Sequence, residues 1–262
     1  MKQPDLLPWP DGCASAVSLT FDDGHQSHLD CVVPLLAEFG LHATFYVNPR
    51  GDTEAEWRAR LLPWRAVQAA GHEVGNHSLS HTCSRALRTD VEPGRPVLED
   101  WTLADVEADV VEAERRLQTV LPLPAGQRRS FCYPCYHEHV GEGPTRRSYV
   151  PVIARHFIAG RGLGEFPGNH PATCDLHYLW SWPVEMVSRD RIRQQVVEPR
   201  LPGAWVILTM HGIGSWRRHH TEADLRKLCA FLREQGQRLW VAPVATVAQR
   251  VIAWRAQRKD GG

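Results

Sequence analysis

Acidic and imidazole side chains suited to metal chemistry follow β-rich segments of this chain. Asp22 and Asp23 are adjacent and precede Gly24, while His77 and His81 are separated by three residues. Two carboxylates this close raise the pKa of one of them unless a cation lies between them. Carboxylate and imidazole bind zinc and related ions, and three protein ligands with one open position are typical of a catalytic metal site. Asp23, His77 and His81 therefore predict such a site.

Each of these motifs also has a purely structural interpretation. The Asp pair could supply a helix N-cap and a turn residue, and an isolated H-x-x-x-H is a weak indication of metal binding. His211 ends a third apolar segment and precedes Gly212, so it could be a general acid or a core or capping histidine. The chemical interpretation is favoured because all these residues fall at the ends of predicted strands.

The elements that must position these residues alternate between strands and helices. Apolar runs such as AVSLTF and AWVILTM indicate strands buried on both faces. Thr102 with Asp105, and Thr221 with Asp224, have the spacing of capping boxes that begin helices. The predicted strands are 17–22, 42–48, 72–77, 129–133, 156–159, 205–211 and 239–244, and the predicted helices are 29–39, 57–70, 103–120, 225–235 and a C-terminal helix at 246–259.

This alternation predicts an α/β fold with a parallel sheet, open or closed into a barrel. Active sites of such folds lie at the carboxyl ends of the strands. The fourth predicted strand also delivers unusual residues there, because it runs through FCYPCY, residues 131–136. Four of the seven predicted strands thus end in residues that could take part in catalysis or metal binding, all at the same end of the sheet.

Four motifs, SLTFDDG, HSLSH, FCYPCY and LTMHG, resemble in this order those of the polysaccharide deacetylases, the NodB-homology family of carbohydrate esterases. The resemblance covers about residues 17–244. It implies a distorted (β/α) barrel of about seven parallel strands and one catalytic domain over 1–262. The implied activity is metal-dependent hydrolysis of a non-peptide amide bond, most simply the deacetylation of an N-acetylated sugar or related small molecule. Hydrolysis of a non-sugar amide, imide or formamide is the alternative, and an inactive carbohydrate- or partner-binding member is a further one.

The resemblance also implies a role for individual residues. Asp22 would be the general base and His211 the general acid. Asp23, His77 and His81 would bind a divalent cation, with zinc expected first and cobalt, nickel or manganese as alternatives. The candidates for contacting the substrate or its oxyanion are Tyr133, Cys135, Tyr136 and Trp182. The resemblance implies that backbone N–H groups near Cys135 and Tyr136 would serve the oxyanion. The high Trp content, ten residues, suggests separately that Trp180 and Trp182, which precede Pro183, either stack on a sugar ring or plug the barrel rim.

Cys132 departs from the family pattern, which often has an Arg there that holds the catalytic Asp. A thiol cannot replace a charged guanidinium as a partner for a carboxylate. Another group must therefore orient Asp22, and Arg128 and Arg129 are near in sequence. Cys132 and Cys135 also form a C-x-x-C, for which a thioredoxin-like redox role is a minor alternative.

Three other positions bear on the pocket. Thr209 stands where the family often has Leu, which predicts a more polar acyl pocket. His25 replaces a Pro common in relatives and adjoins the Asp pair. Asp175 is a candidate partner for His211.

Composition limits the class of partner. Lys plus Arg and Asp plus Glu both number 30, and this zero net charge argues against binding to nucleic acid or an anionic membrane. No apolar run reaches the ~18 residues that a membrane helix needs. The first residues lack the apolar region of a signal peptide, and seven scattered Cys fit reduced thiols, so a cytoplasmic location is expected. A small molecule or oligosaccharide is the expected partner.

Overall fold

A closed parallel β-barrel forms the centre of the structure, which is a computed structural model describing residues 7–87, 96–165, 168–185, 187–199, 201–214 and 221–260. Seven strands pair in parallel in the order β1-β2-β3-β4-β7-β8-β9, and β9 pairs with β1 to close the ring. The last strand, β10, pairs with β1 at its amino-terminal half, and β5 and β6 form a separate antiparallel pair. The strands are β1 Ser15–Phe21, β2 Thr44–Val47, β3 Glu73–Asn76, β4 Ser130–Cys132, β5 His139–Val140, β6 Arg147–Ser148, β7 Ala159–Leu163, β8 Leu179–Pro183, β9 Trp205–Met210 and β10 Leu239–Val241.

Eight α-helices connect the strands in the described part of the chain. They are α1 Val33–Glu38, α2 Glu54–Leu61, α3 Trp64–Ala69, α4 Leu103–Val120, α5 Val150–His156, α6 Arg189–Val197, α7 Glu222–Glu234 and α8 Val244–Asp260. The capping boxes of Thr102 with Asp105 and of Thr221 with Asp224 are both formed, so each side chain satisfies a backbone N–H of the other residue. The predicted distorted (β/α) barrel with about seven parallel strands is confirmed.

Strand β1 shows how the barrel combines an apolar shell with a polar interior. Val17, Leu19 and Phe21 pack in the main hydrophobic core with residues of the surrounding helices. The alternate residues Ser18 and Thr20 are also buried and bond Ala242 and Leu208 carbonyl oxygens at 2.7 and 2.9 Å. The same alternation continues to Asp22, which lies just past the end of the strand. A line of polar groups therefore leads along β1 to the carboxyl end of the barrel.

Several elements differ from the sequence prediction, including the following three. The predicted strand at 156–159 is wrong, because α5 extends through His156 and the strand β7 begins at Ala159. Strand β8 was not predicted, since its LWSWP sequence is short and ends in Pro183. The predicted helix at 57–70 is divided into α2 and α3 around Pro63, which disfavours helical continuation.

No helix among the described residues is both long and apolar enough to cross a membrane. The longest described helix, α4, instead buries one face that includes Val106, Val110 and Leu117. Such one-sided burial is typical of a helix that covers a barrel.

Candidate metal centre and catalytic pocket

The carboxyl ends of β1 and β3 bring Asp23, His77 and His81 together. Asp23 Oδ1 lies 3.4 Å from His77 Nε2 and 3.3 Å from His81 Nε2. Four ligands at ~2.0–2.1 Å from a tetrahedral zinc ion are ~3.3 Å from each other. The two measured distances therefore equal the edges of a zinc coordination tetrahedron. The three donor atoms fit a divalent cation with N and O ligands and leave a fourth position for water or substrate.

The imidazole of His77 is oriented by the neighbouring strand. Its Nδ1 donates to the Cys132 carbonyl oxygen at 2.9 Å, so the hydrogen of the neutral ring resides on Nδ1. Nε2 is then left with a lone pair that faces Asp23. Burial is the main reason that the pKa of His81 falls to about 3, which keeps this imidazole neutral and able to act as a ligand.

Backbone contacts hold the loop that follows β3. Asp109 on α4 accepts the N–H groups of Leu79 and Ser80 at 2.9 and 3.1 Å, and Asn48 donates to the carbonyl oxygens of His77 and Ser78. Asp109 thus fixes the segment between the two histidines.

The metal-site loops also contain left-handed backbone at residues that are not glycine. The φ angles are 74° at Asp23, 61° at Ser78 and 53° at His81. Such conformations cost energy and persist only when the surrounding contacts impose them. The Ser78 hydroxyl, which accepts the His81 N–H at 2.9 Å, is one of those contacts. The loops are therefore held in the conformation that turns the donor atoms toward one point.

Asp22 is almost fully buried beside this set and is paired with Arg161 of β7. Arg161 Nη2 lies 2.7 Å from Asp22 Oδ1 and 2.5 Å from Oδ2. Burial alone would raise the pKa of Asp22, but the guanidinium, followed by His211 and His77, holds it below its ordinary value. Asp22 is consequently an ionised carboxylate in the barrel interior.

The partner of Asp22 is therefore on β7, and the two arginines that the sequence suggested have other partners. Arg129 instead donates to the Val74 carbonyl oxygen at 3.0 Å and to Glu114 at 2.7 Å, and the exposed Arg128 donates to the Arg155 carbonyl oxygen. Both belong to the amino-terminal side of β4, whereas Asp22 lies at the carboxyl end of β1.

A polar network inside the barrel holds Arg161. Its Nη1 donates to Thr209 Oγ1 at 2.9 Å and to Ser181 Oγ at 3.1 Å, and its Nη2 contacts the Cys132 sulfur. Thr209 is fully buried by these contacts, so the expectation that it lines a polar acyl pocket is wrong. Thr209 provides an acceptor for Arg161, and the small side chain of Cys132 leaves space for the guanidinium.

His211 follows β9 and faces Asp22. Its Nδ1 lies 2.5 Å from Glu185 Oε1, and its Nε2 lies 3.9 Å from Asp22 Oδ2. Glu185, just past the end of β8, is thus the carboxylate partner that the sequence analysis missed. The proposed partner Asp175 instead accepts the His177 N–H at 2.8 Å.

The cysteines are arranged differently from the expectation of reduced thiols. Cys83 and Cys135 form a disulfide, which joins the loop after β3 to the turn after β4. Cys132 is a free, fully buried thiol beside Asp22. Because Cys135 pairs with Cys83, the C-x-x-C does not form a thioredoxin-like dithiol pair in this structure.

The remaining site candidates have different environments. Tyr133 is fully buried among Phe131 and Tyr149, and its hydroxyl donates to the His177 carbonyl oxygen at 2.6 Å, so it is a core residue and not a substrate contact. Trp182 of β8 is half-buried against the main core, with the Arg191 guanidinium 6.0 Å from its ring. Its stacking on a sugar stays a prediction.

Tyr136 lies beside Arg161, and His25 lies beside Asp23. The Tyr136 N–H donates to the Tyr133 carbonyl oxygen at 3.0 Å, whereas its buried hydroxyl has no hydrogen-bond partner among the described residues. The Tyr136 ring is 5.5 Å from the Arg161 guanidinium. His25 Nε2 lies 3.4 Å from Asp23 Oδ2. Tyr136 therefore offers its side chain, more readily than its backbone, to a bound molecule.

The buried pair predicts a specific pattern of unfolding free energies. We expect Arg161→Met to destabilise the protein by about 3–5 kcal/mol, because Asp22 is left as a buried, unpaired carboxylate. The double variant Asp22→Leu/Arg161→Met should recover most of this loss, since neither charge remains. Denaturant unfolding measures both effects. Exposed Arg128→Met is the control and should change stability by less than ~0.5 kcal/mol; equal losses in the two Arg variants would contradict the pairing.

Comparison with known proteins finds similar sequences and the same fold. Residues 10–137 match the sequence profile described as polysaccharide deacetylase. A chitooligosaccharide deacetylase of Sinorhizobium fredii is 35% identical over 126 residues, which are 47% of this chain and 50% of that protein. The match thus spans about half the length of this relative.

Solved structures share the barrel over most of the chain. A candidate polysaccharide deacetylase of Mycobacterium smegmatis superposes with a TM-score of 0.62 at 19% identity, covering 95% of this chain and 94% of the other. A family 4 carbohydrate esterase of Streptomyces lividans, solved with acetate, gives 0.53 at 20% identity, covering 87% and 92%. A pseudoenzyme of the same esterase family from Bacillus anthracis gives 0.53 at 17% identity, covering 87% and 64%.

At these identities the superpositions show a common fold, and the sequence profile adds a match over residues 10–137. The profile covers the segment that carries Asp22, Asp23, His77 and His81. The resemblance found in the sequence is therefore confirmed, because residues 10–137 match the polysaccharide deacetylase (NodB-homology) profile.

Proposed function

We propose that this protein is a metal-dependent deacylase that cleaves the amide bond of an N-acylated amino sugar or a related small molecule. The observation that carries the proposal is the position of Asp22, an ionised buried carboxylate held next to a three-ligand metal set and opposite His211. A general base, a Lewis-acid site and a general acid around one pocket are the parts that amide hydrolysis requires.

Asp23, His77 and His81 would hold the cation. Their carboxylate and imidazole donors suit zinc, with cobalt, nickel and manganese as alternatives. When bound, the cation supplies Lewis acidity, which polarises an amide carbonyl and eases the deprotonation of water. His25, beside the second oxygen of Asp23, would orient that carboxylate.

Asp22 would accept the proton of the attacking water. Arg161 keeps it ionised and fixes both of its oxygens, so it cannot rotate out of the pocket. The low pKa makes Asp22 a weak base, and it is therefore effective only toward water that has already been acidified. This dependence couples the role of Asp22 to the neighbouring ligand set.

His211 would donate a proton to the departing amine. The Glu185 carboxylate fixes the ring through Nδ1, which leaves Nε2 facing Asp22. The amine is a poor leaving group until it is protonated, so this step completes the cleavage of the C–N bond.

The Tyr136 hydroxyl would donate to the oxygen of the substrate carbonyl. Burial raises the pKa of this phenol, so it stays a neutral donor across the physiological range. Its lack of a partner among the described residues leaves it free to bond an oxyanion that develops during the reaction. This side chain would replace the backbone donor expected at the same residue.

The relatives support the substrate class. The Sinorhizobium fredii relative is a chitooligosaccharide deacetylase, and the Streptomyces lividans esterase was solved with acetate. An N-acetylated amino sugar is therefore the first substrate to test. The reason to consider an inactive binding protein was the missing Arg at Cys132, and Arg161 now fills that role.

The role of Asp22 is tested by Asp22→Asn. We expect turnover of N-acetylated chitooligosaccharides, followed as acetate and free amine, to fall by ~10²–10⁴-fold because the proton acceptor is lost. Zinc content should stay at the wild-type level, since Asp22 is not one of the three ligands. Asp23→Ala is the matched variant that should lose both metal and activity. Full activity of Asp22→Asn would refute the assigned mechanism, and a parallel panel of non-sugar amides separates the substrate classes.

The role of the Tyr136 hydroxyl is tested by Tyr136→Phe. We expect kcat to fall by ~10²–10³-fold, as for the loss of an oxyanion donor, with KM nearly unchanged. Tyr133→Phe removes the neighbouring phenol that bonds a carbonyl in the core and should leave kcat close to the wild-type value. Similar kcat values for Tyr136→Phe and the wild type would exclude the hydroxyl from the reaction.

A further inference from the structure

The Cys83–Cys135 disulfide lies against the outer edge of the metal-ligand set. Cys83 follows His81 by two residues, and its sulfur is 3.6 Å from His81 Nδ1. Cys135 directly precedes Tyr136, and both have left-handed backbone, with φ of 53° and 61°. The two sulfurs and His81 Nδ1 all lie within 4.8 Å of one another. Three donor atoms that suit a soft metal are therefore already gathered here.

We propose that the dithiol form of this protein binds a second, thiophilic divalent cation through Cys83 Sγ, Cys135 Sγ and His81 Nδ1. Two thiolates and one imidazole are typical ligands for zinc and cadmium. With Zn–S near 2.3 Å and Zn–N near 2.0–2.1 Å, a sulfur and a nitrogen on one tetrahedral ion are ~3.5–3.6 Å apart. The observed Cys83–His81 separation has this value, so the sulfurs need only part from each other for an ion to enter.

His81 connects the two sites through opposite sides of one ring. Its Nε2 faces Asp23 Oδ1 at 3.3 Å, and its Nδ1 faces the Cys83 sulfur. A neutral imidazole has one lone pair for metal binding. The thiolate site therefore competes with the first site for His81 when both cations are present.

The disulfide controls access to this second site. A dithiol reductant attacks one sulfur by thiol–disulfide exchange, and its two thiols become a disulfide as Cys83 and Cys135 become thiols. Binding of the divalent cation then releases one proton from each thiol. Cys135 is partly exposed, which gives the reductant a point of attack. In the oxidised form the sulfurs are bonded to each other and the site is closed.

The experiment is a titration of the full chain with Cd²⁺, before and after reduction with dithiothreitol and its removal under anaerobic conditions. We expect the sulfur-to-cadmium charge-transfer absorption to increase after reduction, and this increase to saturate at one Cd²⁺ bound by the Cys83 and Cys135 thiolates per chain. The five free cysteines are present in both forms, so the difference between the two titrations reports on Cys83 and Cys135 alone.

Three variants make the assignment specific. Cys83→Ser/Cys135→Ser should lose the reduction-dependent absorption, whereas Cys174→Ser, which removes a free and partly exposed thiol, should retain it. His81→Ala should weaken Cd²⁺ binding to the reduced protein by about 10-fold or more. His77→Ala removes a ligand of the first site only and should keep the absorption, so this result stands whether or not the hydrolase proposal is correct.

Three outcomes would overturn the proposal. The first is a reduced wild-type protein whose sulfur-to-cadmium absorption equals that of the oxidised protein. The second is an undiminished absorption in the double serine variant, which would assign the sulfur ligands to other cysteines. The third is an unchanged Cd²⁺ affinity in His81→Ala, which would remove the imidazole from the proposed ligand set.

Discussion

The ion pair between Asp22 and Arg161 is the contact on which the arrangement of the pocket depends. Both side chains are almost fully buried, and removing either charge alone would strand the other in the barrel. The hydroxyl oxygens of Thr209 and Ser181 accept hydrogen bonds from the other terminal nitrogen of the guanidinium, so that nitrogen is also satisfied. Thr20 in turn lies 3.3 Å from Thr209, so the polar interior of the barrel is continuous with the site.

This interior network explains how the pocket tolerates a cysteine at position 132. A guanidinium from β4 would compete for the volume that Arg161 occupies from β7, and the small thiol leaves that volume open. Gly160 and Gly162 on either side of Arg161 also matter, because a Cβ at Gly160 would lie 2.4 Å from the His177 carbonyl oxygen and one at Gly162 would lie 2.9 Å from Tyr178. Close packing of His177 and Tyr178 against β7 requires glycine at these two positions, whereas the Arg161 side chain between them points into the barrel.

The parts of the site that sequence predicts are those encoded locally. Asp22, Asp23, His77 and His81 stand directly at strand ends, where motif and strand periodicity point to the same place. The fold class follows from the alternation of apolar runs and capped helices. Arg161 could not be found in this way, because 139 residues separate it from Asp22 and the predicted strand ended before it.

Glu185 and the Cys83–Cys135 disulfide could not be predicted from local sequence either. Glu185 follows the strand β8, whose five residues carry two tryptophans and a proline and lack a clear alternation. Cys135 has a nearer sequence neighbour in Cys132, yet its partner is 52 residues away in Cys83. An arginine between two glycines in an apolar run, as in Ala-Gly-Arg-Gly-Leu, is the one signal that could have indicated a buried charge. Contacts between side chains of separate strands depend on how the barrel closes, so they cannot be predicted from the spacing of residues along the chain.

The convergence of Asp23, His77 and His81 on one cation beside Asp22 is tested most directly by anomalous X-ray diffraction from crystals of the protein grown with zinc. We expect a zinc peak at ~2.0–2.2 Å from a carboxylate oxygen of Asp23 and from Nε2 of both histidines, with Arg161 still paired to Asp22. An Asp23 carboxylate turned away from the two imidazoles, with no zinc among them, would contradict the account.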